Sequence, residues 1–190
     1  MFERKIIHIA VGSVIALLWY LNSISAIHIF YLLLISSAIS LIHKYRPLPI
    51  LKEILEQLSK EDEKNFPGKG FITFLIGVLI TMKLFSKDIA LASIMILTFG
   101  DSLSYIFSTT FPKPKLKIKK LKSIFGVLLS FLFSFLFASF FVEPILAFFG
   151  SLSAIILELF EIKIEDEVLD DNVMIPLVSG TIMLLIRYHF

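Results

Sequence analysis

Long apolar runs separated by short polar segments dominate the chain. They cover Ile6 to Leu21, Ile24 to Ile42, Gly70 to Phe85, Ile89 to Phe107, Ile124 to Val142, Ile145 to Phe160 and Val173 to Ile186. All are too long for ordinary strands, and most approach the roughly 20 residues with which a helix crosses about 30 Å of hydrocarbon. The pattern predicts an all-α fold: a polytopic transmembrane bundle of about seven spans forming one integral membrane domain over residues 1–190. The first run precedes Ser23 and Ser25, small residues of the kind found at a signal-peptidase site. It is long for a signal peptide, and Trp19 and Tyr20 suit an interfacial belt, so it reads as a retained helix. The last run is the shortest and contains Pro176 and Gly180. His28, in the second run, reads as a mid-span structural histidine.

The longest polar segment, His43 to Phe66, has its own period. Leu51, Ile54, Leu55 and Leu58 recur at helical spacing, with Lys52, Glu53, Glu56 and Lys60 on other faces. This predicts an amphipathic helix over 48–60 lying along the membrane surface. A loop helix packed on the bundle explains the same pattern.

Composition agrees with a membrane protein. Hydrophobic residues make up 57% of 190 positions, and mean hydropathy is +0.88, beyond the range of soluble domains. The net charge of +2 gives no argument for nucleic acid. With no cysteine in the chain, disulfides and thiolate metal sites are excluded.

The distribution of charge sets an expected orientation. With the N-terminus in the cytoplasm, the inner segments hold Arg4, Lys5, six basic residues from Lys44 to Lys69, the six lysines from 113 to 122, and Lys163. The outer segments hold Lys83, Lys87 and Arg187. Fifteen against three follows the positive-inside rule and places the C-terminus outside.

In that topology the polar groups of the spans fall on one leaflet. His8 lies near the start of helix one, Pro67-Gly68-Lys69-Gly70 opens helix three, and Asp101 stands in the inner half of helix four. Lys122-Ser123 begins helix five, Glu158 nears the end of helix six, and Asp170-Asp171-Asn172 precedes helix seven. A carboxylate inside an apolar span costs at least about 2.5 kcal/mol on insertion scales and marks a functional site by default. The plainer reading of Asp101 and Glu158 is a structural pairing with a lysine or with His8. Helical spacing turns these groups inward: His8 with Gly12 and Ala16, Thr98 with Asp101, Tyr105 and Ser108, and Ala154 with Glu158 and Glu161. Gly126, Ser130, Ser134 and Ala138 form a small-residue stripe, and Thr73, Gly77 and Thr81 another, each permitting close helix approach.

Chemically, an acid followed by a cluster of lysines suits a metal and a phosphate chain. Magnesium takes oxygen ligands and commonly arrives with substrate phosphates. The Gly68-Lys69-Gly70 turn would let backbone N–H groups approach a phosphate at a helix N-terminus, although it is not a Walker A loop. Asp170-Asp171-Asn172 reads equally well as a helix cap.

Several stretches in sequence order resemble the membrane family of CTP-dependent lipid kinases, which includes dolichol kinase, phytol kinase and the CTP-dependent diacylglycerol kinase. They are Arg4-Lys5 with His8 and Gly12, Pro67-Gly68-Lys69-Gly70-Phe71 through Gly77, Gly100-Asp101, Lys122-Ser123 with Gly126, Glu158, and Asp170-Asp171-Asn172 through Pro176 and Gly180. Two departures stand out. Ser108-Thr109-Thr110 replaces a glycine-containing turn, and Phe125 occupies a position that is often acidic.

The resemblance implies transfer of the γ-phosphoryl group of CTP to the hydroxyl of a membrane lipid alcohol, with polyprenol or dolichol ahead of phytol and diacylglycerol. It implies Mg²⁺ on Asp101, with Asp170 or Asp171, and phosphates held by Lys69, Lys122 and Ser123. The general base is then Glu158 or His8, in an active site facing the cytoplasm. A lipid cytidylyltransferase, a transporter and a structural subunit are the competing readings.

Overall fold

The structure, a computed structural model, describes residues 2–46, 68–110, 123–160, 163–164, 167–168 and 170–189. The surface helix expected at 48–60, Pro67, the lysines from 113 to 122 and Glu161 lie outside the described residues. Seven helices stand among those described: α1 (Phe2–Tyr20), α2 (Ala26–Tyr45), α3 (Lys69–Leu84), α4 (Lys87–Thr110), α5 (Ile124–Ala138), α6 (Pro144–Leu159) and α7 (Asp171–His189). Between α6 and α7 lies a minimal antiparallel pair, β1 (Lys163–Ile164) and β2 (Glu167–Val168), with Lys163 opposite Val168. The all-α expectation thus needs this small amendment, because two-residue strands leave no hydrophobic period to read.

The axis of the bundle is α4. It packs against α1, α3, α5, α6 and α7, while α2 lies outside and packs on α3. Its sequence explains the position: Ala90, Ala92, Ser93, Gly100 and Ser104 interrupt the large apolar residues, so neighbours can approach on every side. The inward stripes behave as their spacing requires. His8, Gly12 and Ala16 are buried on α1, and Gly126, Ser130, Ser134 and Ala138 are the buried residues of α5. Gly126 lies so close to α4 that a Cβ there would stand 2.7 Å from the Ser108 backbone nitrogen.

Outer faces are apolar, with Val14, Leu17, Tyr31, Ile35, Leu132 and Ile156 exposed, as suits a protein bounded by hydrocarbon. By length and composition, Ala26–Tyr45 and Lys87–Thr110 can each cross a membrane. Ile124–Ala138 and Pro144–Leu159 are apolar but shorter.

Three details differ from the sequence reading. α1 begins at Phe2, which brings Arg4 and Lys5 into the helix. α7 runs unbroken through Pro176. His28 is not mid-span: Ser25 caps α2, and the His28 ring accepts the Ser25 N–H at 3.1 Å through Nδ1. Its role is that of the third residue in a capping box.

At the end remote from the polar groups, the helices are tied by charge. Arg187 pairs with Asp88, and Lys87 donates to the Asn22 side chain at 2.6 Å and the Tyr20 carbonyl at 3.2 Å.

Candidate active site

α1 and α4 bring the first two elements of the site together. Lys5 Nζ donates to Asp101 Oδ2, joining residues 96 positions apart in a buried ion pair. Desolvating two charges is costly unless each satisfies the other, so this pair fixes α1 against the inner half of α4. Lysine pairing was the plainer expectation for Asp101, and it is present. One turn along α1, His8 is 2% exposed and packs on the Phe74 ring of α3, with centroids 4.7 Å apart. Arg4 is also buried, at 2% exposure.

The N-termini of α3 and α7 form the second part. Gly68 caps α3 with φ of 80°, a left-handed conformation that favours glycine. Its carbonyl accepts the N–H groups of Phe71 and Ile72, so those donors are not free for a phosphate. Lys69 follows at the first helical position and is exposed. Asn172, buried at the start of α7, donates through Nδ2 to the Gly70 carbonyl at 3.1 Å and to Thr73 Oγ1 at 3.0 Å. Asp170 accepts from the Asn172 N–H at 2.9 Å and from the Thr73 hydroxyl at 3.0 Å. Its backbone carbonyl accepts from Val173 and Met174. The structure therefore joins the Gly68-Lys69-Gly70 and Asp170-Asp171-Asn172 motifs directly, by the Asn172–Gly70 bond across 102 residues, and again through Thr73. Asp171 is half-buried in the first turn of α7.

Ser123 and Glu158 complete this end. Ser123 is the N-cap of α5: its Oγ accepts the Gly126 N–H at 2.9 Å, and its own N–H is accepted by Ser108 Oγ at 3.0 Å. Ser108 belongs to the stretch where the sequence departs from the family it resembles, and here it ties the end of α4 to the start of α5. Glu158 is 1% exposed in the last turn of α6. Lys122 lies outside the described residues.

Among the described residues, no three His, Asp or Glu side chains converge as a metal cage. The donor chemistry still fits a magnesium ion that brings most of its oxygens with a substrate. Such ions are commonly held by one or two carboxylates plus phosphates, and Asp101 and Asp170 supply carboxylate oxygens at this end of the bundle. Thr73, Ser108 and Phe74 were not among the site candidates. Thr73 and Ser108 were legible only as members of inward stripes, because a hydroxyl's partner is set by the neighbouring helix.

This geometry can be set beside known proteins. CTP-dependent diacylglycerol kinase 1 of Schizosaccharomyces pombe (strain 972 / ATCC 24843) is 33% identical over 82 residues. The resemblance to the CTP-dependent lipid kinase family stands. The matched segment is 43% of this chain and spans 37% of that kinase. No family model matches the chain, and no solved structure matches it. The similarity to a CTP-dependent lipid kinase thus rests on part of the chain, and the site adds the spatial grouping of the motifs.

Proposed function

We propose that this protein is an integral membrane CTP-dependent lipid kinase, with about seven spans, a cytoplasmic N-terminus and its polar end facing the cytoplasm. The observation that carries this reading is the buried Lys5–Asp101 pair beside His8, in a chain similar to a CTP-dependent diacylglycerol kinase. The lipid hydroxyl oxygen attacks the γ-phosphorus of CTP, the bond to the bridging oxygen breaks, and CDP leaves. Glu158 or His8 takes the hydroxyl proton. Lys69, with Lys122, neutralises the phosphate chain, and Ser123 acts chiefly by fixing the start of α5. Asp101, with Asp170 or Asp171, would hold Mg²⁺, which when bound draws charge from the phosphates. Such chemistry needs positioning and charge neutralisation more than covalent participation by the protein.

A cleft of about 470 Å³ between α1 and α2, lined by Val11, Val14, Ile15, Leu18, Ile29 and Leu32, suits the lipid chain. It begins about one turn beyond His8 on the same helix. Polyprenol or dolichol remains the first substrate class to test, with diacylglycerol beside it because of the relative.

The test is transfer from γ-labelled and α-labelled CTP with Mg²⁺ to polyprenol, dolichol, phytol and diacylglycerol, in nanodiscs. Label passing to one lipid from the γ position alone, and lost in Asp101→Asn, supports the reading. Lipid labelled from the α position makes the protein a cytidylyltransferase. No transfer by folded protein from any nucleotide rejects a nucleotide-dependent enzyme.

A further inference from the structure

The mechanism above leaves Arg4 without a task, yet Arg4 is the least expected residue in the bundle. Its Nε and Nη1 are buried and have no hydrogen-bond partner among the described residues. Burying a guanidinium with unsatisfied donors opposes folding, and such charges ordinarily meet an anion. The nearby carboxylates are otherwise engaged: Asp101 with Lys5, and Asp170 with Thr73 and the Asn172 backbone. A second observation points the same way. One turn along α1, His8 Nε2 is also buried and unpartnered among the described residues.

Residues four apart lie one above the other on a helix, so these orphan groups share a face. Arginine's planar fork matches phosphate oxygens, and its bonds to phosphate are charge-assisted.

We propose that Arg4 and His8 form a built phosphate seat, in which the Arg4 guanidinium grips a phosphate group and His8 Nε2 donates to another of its oxygens, which leaves the proton transfer of the kinase reading to Glu158. The role of holding phosphate, expected mainly of the lysines and Ser123, thereby passes in part to α1. The seat rests on the kinase reading only for which molecule carries the phosphate, a nucleotide or a phosphorylated lipid.

The experiment measures thermal unfolding of the full chain in detergent, for wild type, Arg4→Gln and Arg4→Lys. Each is titrated with tripolyphosphate, CTP or dodecyl phosphate, without turnover. Wild type is expected to gain stability with at least one of these, and the identity of that probe distinguishes a nucleotide seat from a lipid-phosphate seat. Arg4→Gln should weaken the apparent affinity about tenfold or more, the usual scale for one charged hydrogen bond. Arg4→Lys should retain part of it. Without ligand, Arg4→Gln should unfold at the same temperature as wild type or higher, because an uncompensated charge has been removed.

Undiminished protection in Arg4→Gln, or protection of wild type by none of the probes, overturns the proposal. So does failure of Arg4→Gln to fold while Arg4→Lys folds but binds none of the probes. Protection that depends on Arg4, in a protein that transfers no phosphate from CTP, would sustain the seat and reject the kinase.

Discussion

Lys5 and Asp101 decide how α1 and α4 meet, and the buried Lys5 charge is tolerable in the bundle because of Asp101. Removing Asp101 leaves the buried Lys5 charge uncompensated, a loss of about 3–5 kcal/mol, whereas replacing both with apolar residues is often neutral. Asp101→Leu should therefore lower the unfolding midpoint in detergent sharply, and Asp101→Leu with Lys5→Met should recover most of it. Neither variant should transfer phosphate if Asp101 serves the reaction. Activity in the double variant would reduce the pair to a structural tie. Gly77 makes a steric prediction of the same kind. Pro176 cannot donate to the Asn172 carbonyl, and that oxygen would stand 2.1 Å from a Cβ on Gly77. Because the obstacle is backbone, Gly77→Ala should push the start of α7 off α3, lowering thermal stability and activity together.

Between elements, helix ends matter most. Asp170 caps α7, contacts Thr73 and brings a carboxylate to this end of the bundle. Asparagine caps about as well as aspartate, so Asp170→Asn separates the roles. If Asp170 helps to hold Mg²⁺, the variant should keep wild-type stability and need more Mg²⁺ for half-maximal activity. An unchanged Mg²⁺ dependence would leave only the cap. Ser123→Ala should cost about 1 kcal/mol through loss of the α5 cap, measurable as a lower unfolding midpoint.

At this scale the sequence was most readable. The buried stripes of α1, α4 and α5 follow from residues three and four apart, since one face of each helix turns inward. The pairing of particular stripes was not readable. Lys5 with Asp101, Thr73 with Asp170, and Ser108 with Ser123 join different helices, and the helical period carries no information about partners. His28 was misplaced for a related reason: an apolar period continues through a cap, so the start of α2 depended on Ser25 and its bonds.

For the whole molecule, the argument turns on which side of the membrane the polar end faces. CTP is a cytoplasmic nucleotide, so the proposed activity requires Lys5, Asp101, Lys69 and Asp170 to face that side. The fifteen-to-three distribution of basic residues argues for this orientation. The chain has no cysteine, which permits labelling at single introduced sites without a background. Thr109 is exposed near the end of α4 that meets Ser123, and Ser23 is exposed in the turn between α1 and α2 at the opposite end. With a membrane-impermeant maleimide, Ser23→Cys should react in intact cells, and Thr109→Cys only after the membrane is opened. The reverse pattern would place the site outside, away from CTP, and would favour a protein that handles its lipid without a nucleotide.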